Sequence, residues 1–276
     1  MAEAVRPVLQ RTLAERTIGT RQETSLTAVA PHSADRLHYD RKLEPLRAIR
    51  AFRRLVQDKE DTTHVFEIME ALTGRSASWG VNKLLRTPGG ARLAYHRVEL
   101  NQKLNDEAWL AQFGPGTVGA AYRSFMKTEN LSAEGLAMLS RKVRAEIEAP
   151  NLYAWYSRRI RDVHDVWHVL TGYGRDALGE ACVVSFSHAQ TRSLGFLFIG
   201  LGAAHQVRRE ARSVPARRAV AEAWRNGLRA GWLPAQDYET LFAEPLEAAR
   251  RRLGIAVPAV YESVPAETRA RLTLKG

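Results

Sequence analysis

The chain has one cysteine in 276 residues, Cys182. That excludes an intramolecular disulfide framework and suits a reducing compartment. Long apolar runs are missing as well. Met1 to Arg21 lacks the apolar core of a secretory leader, and no run reaches the roughly 18 apolar residues that span a bilayer. The most hydrophobic segment, Leu194-Gly-Phe-Leu-Phe-Ile-Gly-Leu-Gly-Ala-Ala204, is shorter and carries Gly195, Gly200 and Gly202. Its apolar circumference predicts a buried helix. Acidic residues run short too: 30 Asp and Glu face 41 Lys and Arg, for a formal net charge of +11. Such a balance favours anionic surroundings. The charge is dispersed, however, through runs such as Arg208-Arg209, Arg217-Arg218 and Arg250-Arg251-Arg252. Solvated helix faces account for most of it. The expected partner is an anionic membrane surface and not nucleic acid.

What remains is helical periodicity. Residues 1–40 show no lasting apolar period and read as a flexible tail, with one frayed helix over Val8 to Arg16. From Pro45, stripes at helical spacing follow: Leu46, Ile49, Phe52 and Val56, then Val65, Phe66, Met69 and Leu72. A third helix over Ser76 to Arg86 stops at Pro88-Gly89-Gly90, a plain turn that lacks the Lys-Ser/Thr of a phosphate loop. Ala91 to Tyr95 reads as a short extended piece. Thr117 caps a helix carrying Val118, Ala121, Tyr122 and Phe125. Leu136, Leu139, Val143 and Ile147 mark another. One helix is expected over Leu152 to Leu170, and others at about 176–192, 195–210, 215–232 and 235–253. In the last two, Trp224, Leu228, Leu241, Phe242 and Leu246 belong to continuous stripes. No alternating strands and no repeat appear. The prediction is an all-α, single multi-helix domain over 41–276.

The chemistry concentrates in Arg161-Asp-Val-His-Asp-Val-Trp-His168, with Glu180 following. On a helix, His164 and His168 differ by about 40° in azimuth and Asp165 stands about 100° from His164. All three can look toward one point. After the Gly172-Tyr-Gly174 break a second helix can return Glu180 to that point. Imidazole and carboxylate are ligands of zinc and related divalent ions. The expectation is therefore a metal site on two adjacent helices, held by His164, Asp165, His168 and Glu180. The alternative is a polar patch without metal. Cys182 would point about 200° away from Glu180 and reads as core. Arg161 either holds a substrate carboxylate or pairs with Asp165. His188 shares a helix face with Glu180 and is either a proton carrier or a structural histidine.

These residues resemble the coenzyme Q biosynthesis protein 4 family. His164-Asp-x-x-His168, eleven residues, then Glu180 is similar to its hallmark, and Arg159-Ile-Arg161-Asp162 to its basic lead-in. Asp162 stands where the family pattern often has Glu. Pro115-Gly-Thr-Val-Gly-Ala-Ala-Tyr-Arg-Ser-Phe125, Trp224 to Glu239 and Arg251-Arg-Leu-Gly-Ile-Ala-Val-Pro258 agree in order. The resemblance runs from about Asp106 to Pro258 and is weak before Leu46.

It implies a helical protein of ubiquinone synthesis that binds a divalent metal, Zn²⁺ foremost, with Fe²⁺, Mn²⁺ and Mg²⁺ as alternatives. It also implies isoprenoid binding between helices. The implied activity is oxidative decarboxylation at ring carbon 1 of a polyprenylated hydroxybenzoate, for which His164, Asp165 and, from its place beside them, Arg161 are the expected catalytic residues. The rival reading is a non-catalytic lipid-binding scaffold. The expected setting is cytoplasmic, peripheral on the inner membrane, as a homodimer among other ubiquinone biosynthesis proteins. Gly195 and Gly200 either let the polyprenyl tail approach the helix or serve helix packing. A His-Asp-type phosphohydrolase would have to recruit His96 and Asp237, and leaves the His168–Glu180 link unexplained.

Overall fold

The computed structural model describes residues 40–58, 63–129, 138 and 149–272. All lie in the compact unit 31–276. The expected tail (Asp40 apart), the helix over Val8 to Arg16 and the stripe from Leu136 to Ile147 fall outside the described residues. Among the described residues the architecture is all-α, with one isolated bridge between Thr117 and Pro245. The helices are α1 Pro45–Gln57, α2 Thr63–Ala71, α3 Ser76–Leu85, α4 Gly90–His96, α5 Leu100–Leu104, α6 Glu107–Ala111, α7 Val118–Thr128 and α8 Leu152–Asp162. They continue as α9 His164–Thr171, α10 Ala177–Thr191, α11 Leu194–Glu210, α12 Ala216–Arg229, α13 Tyr238–Ala243, α14 Leu246–Arg252, α15 Ala259–Glu262 and α16 Ala266–Arg271.

The core is organised around α10. Only Glu180, His188 and Ala189 of that helix are other than buried. It packs most extensively on α12 and α11. The contact with α12 is close because position 227 is glycine: a Cβ there would lie 2.7 Å from the Phe186 carbonyl oxygen. Gln190 locks the same joint, donating to the Gly227 carbonyl (2.6 Å) and accepting from the Leu233 amide (2.8 Å). Both bonds satisfy a buried amide that would otherwise be costly. At the other end, Asp176 caps α10 by accepting from the Leu178 and Gly179 amides, each at 3.1 Å. Such a cap is worth about 1 kcal/mol. Cys182 is buried as expected, and burial pushes its thiol well up.

Several expectations are corrected. Ala91 to Tyr95 is helical, within α4. The helix expected over Leu152 to Leu170 is two, α8 and α9, interrupted at Val163 (φ −86°, ψ 0°). The span 235–253 is likewise divided: a 3₁₀ turn at Leu233–Ala235 precedes α13, and Pro245, lacking an amide hydrogen, opens α14. In α1 the buried face is Ala48 and Ala51, whereas Leu46 and Ile49 are exposed. Trp224 and Leu228 of α12 are also exposed. Helix α11 is not buried all round: Leu194 and Leu201 are 40% and 56% exposed. A short apolar segment gives the composition of a helix but not the number of its neighbours.

Candidate metal centre

Helix α9 begins one residue after the interruption at Val163. Its N-terminal residue is His164, and His168 follows one turn later. Gly172, in the left-handed region at φ 78°, ends the helix. That turn places the Tyr173 carbonyl 2.9 Å from His168 Nδ1. The Nδ1–H donates there, which fixes the tautomer and leaves the Nε2 lone pair free for a metal. His168 is fully buried, while His164 and Glu180 keep 20% and 22% of their side chains exposed. The opening to solvent therefore lies on the His164–Glu180 side.

Three ligand atoms converge. His164 Nε2 and His168 Nε2 are 3.2 Å apart. Glu180 Oε2, from the first turn of α10, lies 3.6 Å from the former and 3.5 Å from the latter. Zinc bonds of about 2.05 Å in a tetrahedron set its ligand atoms about 3.3 Å apart. The donor set and its spacing fit such an ion. The expected fourth ligand, Asp165, is not part of this group of atoms within 4.8 Å of one another. Its charge is nevertheless felt at His168 and at Tyr122.

The electrostatics follow from the same contacts. Burial works against the charged Glu180, but His168 and His164 outweigh it and hold the carboxyl well below the usual range. Burial also opposes the charged His168, yet Glu180 and the Tyr173 carbonyl raise its pKa. Glu180 Oε1 accepts from Arg175 Nε at 3.2 Å, leaving Oε2 to the histidines. Sequence reasoning missed Arg175, which precedes the helix and shares no helical spacing with Glu180. It also missed Phe125 of α7, whose ring stacks on His168 at 5.6 Å and 21°. Phe125 was recognised only as a member of an apolar stripe. Tyr122, one turn earlier, is fully buried and its hydroxyl has no hydrogen-bond partner among the described residues. Burial first, then Asp165 and Asp162, push its pKa up.

Other candidates are placed as follows. Arg161 donates from Nε to Asp162 Oδ1 at 2.7 Å. His188 shares the partly exposed face of α10 with Glu180, and its Nδ1 donates to the Ser193 carbonyl at 2.9 Å. Gly195 and Gly200 face protein: a Cβ would lie 2.7 Å from Met69 Sδ at the first and 3.3 Å from the Ala181 carbonyl oxygen at the second. At Gly202 it would meet the Phe52 ring at 2.3 Å. Their present neighbours are those of helix packing. Asp237 caps α13 and pairs with Arg92 at 2.9 Å, so it is engaged in a structural contact.

The chain is similar to known proteins. The sequence profile of coenzyme Q (ubiquinone) biosynthesis protein Coq4 matches residues 45–259, a stretch that begins well before Asp106. The mitochondrial ubiquinone biosynthesis protein COQ4 homolog of Rattus norvegicus is 27% identical over 195 residues, covering 69% of this chain and 71% of the rat protein. The Homo sapiens homolog, also mitochondrial by name, is 28% identical over 186 residues, covering 65% and 66%. In fold, the chain is similar to a crystal structure from Nostoc punctiforme, of a protein assigned to ubiquinone biosynthesis, with a TM-score of 0.55 at 19% identity. That likeness covers 78% of this chain and 99% of the Nostoc one. With the profile spanning most of its length, the chain belongs to the Coq4 family of coenzyme Q (ubiquinone) biosynthesis proteins, and its role lies in that biosynthesis.

Proposed function

We propose that the chain carries out the oxidative decarboxylation at ring carbon 1 of a polyprenylated hydroxybenzoate, at a membrane surface. The observation that supports this most is the convergence of His164 Nε2, His168 Nε2 and Glu180 Oε2 within 4.8 Å. These three would hold a divalent ion, with Asp165 turning in as the fourth ligand. Zinc is favoured over magnesium, because two imidazoles suit it and octahedral bonds of about 2.05 Å would bring neighbouring ligands to about 2.9 Å. Such an ion supplies Lewis acidity toward the substrate's carboxylate or phenolate.

The chain's own residues do the rest. Tyr173 holds His168 in one tautomer. Phe125 covers one face of that imidazole and excludes water from it. Arg175 neutralises the outer oxygen of Glu180, so its inner oxygen stays aimed at the histidines. Overall, carbon dioxide leaves and a hydroxyl takes its place on the ring carbon. This is a two-electron oxidation, and because zinc is redox-inert the electrons pass to dioxygen or another acceptor. Among the described residues no helix is long and apolar enough to cross a membrane. The polyprenyl tail would then lie along exposed Leu194 and Leu201, the side of α11 away from Gly195 and Gly200.

The scaffold reading is favoured by one observation: the three ligand atoms come from two successive helices, so an ion there would clamp α9 to α10. Glu180→Ala separates the two. An enzyme loses product while remaining folded and partnered. A scaffold loses stability or its biosynthetic partners, and any wild-type level of product in the variant would overturn the catalytic reading.

A further inference from the structure

Two cations without an acidic partner among the described residues stand at the opposite end of α10 from Glu180. Arg192 follows the last turn of that helix, about 18 Å along it from Glu180. Its guanidinium carbon lies 4.5 Å from the centre of the Trp79 ring. Lys83 Nζ lies 5.0 Å from the same ring and 4.5 Å from that of Trp232. The two indoles meet edge to face at 6.1 Å. Trp232 is fixed by donating its indole N–H to the Gln190 carbonyl at 2.7 Å. The Trp79 indole N–H has no acceptor among the described residues, and neither cation there has a carboxylate partner.

The arrangement is costly in two ways. Arg192 occupies the left-handed region, at φ 59°, in the position after a helix where glycine is preferred. Strain of this kind gathers where the side chain has a use, yet this guanidinium makes no ion pair within the described chain. Lys83 is half-buried, and burial together with Arg192 lowers its pKa. Like charges are held near one ring with nothing negative between them. Each indole face takes up part of the charge, but the described residues supply no oxygen acceptor, and the exposed Arg192 is open to a ligand from solvent. A phosphate monoester brings nearly two negative charges and three acceptor oxygens. A carboxylate would neutralise only one of the two cations.

We propose that Lys83 and Arg192, framed by Trp79 and Trp232, form a binding site for a phosphate group, borne either by free phosphate or by a lipid headgroup. The site stands apart from the metal centre and does not depend on it. Its test uses the full chain, with Lys83→Met and Arg192→Gly. Methionine keeps an apolar stem over the indoles, and glycine suits the left-handed backbone at 192, so both variants should fold. Inorganic phosphate is titrated calorimetrically at constant ionic strength, with chloride as control. In parallel, flotation compares vesicles of phosphatidic acid in phosphatidylcholine with phosphatidylcholine alone. Saturable binding of inorganic phosphate, weakened at least tenfold in each variant, supports the site with free phosphate as ligand. Recovery on phosphatidic acid that both variants lose supports it with the headgroup as ligand. Absence of saturable binding in both arms, or binding unchanged in folded variants, overturns the proposal.

Discussion

The ends of α9 and α10 are built alike and surrounded differently. Each helix closes on a histidine followed four residues later by a left-handed residue, Gly172 in one and Arg192 in the other. In each, the histidine Nδ1 meets the carbonyl five residues on, at 2.9 Å: His168 with Tyr173, His188 with Ser193. Both imidazoles are thereby left with an oriented Nε2. At the first end that nitrogen meets a second imidazole and a carboxylate. At the second, the left-handed residue is itself a cation, Arg192, set over Trp79 beside Lys83. The backbone device is the same, so a difference in function must come from the neighbours it is given. Carboxylate and imidazole make a place for a cation, whereas guanidinium and ammonium make one for an anion.

The sharpest way to break this comparison is to remove each histidine in turn. His168→Ala should abolish metal retention, read by elemental analysis of protein purified without added metal. His188→Ala should retain metal at the wild-type level. Full occupancy in a His164→Ala, His168→Ala double variant would falsify the ligand assignment. A smaller effect is expected from the support behind the first end. The Tyr261 hydroxyl donates to Asp176 Oδ2 at 2.5 Å and accepts from the Gly174 amide at 2.9 Å. It thus ties the turn carrying the Tyr173 carbonyl to the cap of α10. Tyr261→Phe removes both bonds and should lower stability by about 1–3 kcal/mol, with weaker zinc binding in a competition titration. Unaltered zinc affinity would make the contact purely structural.

The left-handed residues offer a third comparison. Gly172→Ala places a side chain at φ 78° and should destabilise by about 1–2 kcal/mol, seen as a lower melting temperature. Arg192→Gly should leave the melting temperature near the wild-type value, since glycine relieves strain while the contact with Trp79 is lost. The smallest effect expected concerns Cys182. Its buried thiol, held in the protonated form, should resist alkylation by iodoacetamide in the folded protein and react only on unfolding. Rapid modification of the native chain would contradict its place in the core.

Much of the ligand set was legible because a four-residue helical step is rigid and histidine and glutamate are conspicuous. The return of Glu180 was legible from Gly172 and Gly174, which announce a turn. The interruption at Val163 was not, because valine is no helix breaker and nothing local marks the position. Pro245 did carry a signal that the apolar stripe across 235–253 overrode. In α1 the stripe of Leu46 and Ile49 suggested the buried face, but the neighbouring helix packs on Ala48 and Ala51. Alanine's small size permits close approach and leaves little trace in an apolar pattern. Arg175 and Phe125 were illegible as partners for a different reason: their proximity to Glu180 and His168 is a property of tertiary packing. The pairing of Lys83 with Arg192 across more than a hundred residues belongs to the same class.

The interruption at Val163 has a mechanical meaning. In an unbroken helix, inserting or deleting one residue upstream would rotate everything after it by about 100°, carrying both imidazoles off target. At the joint between α8 and α9 the backbone already departs from helical values, at φ −86° and ψ 0°, so that rotation can be taken up there. A length change within Leu152 to Asp162 would be absorbed there as a shift of α8 against its own neighbours. His164 and His168 would keep their aim, which is set by the 164–180 stretch and by what packs upon it.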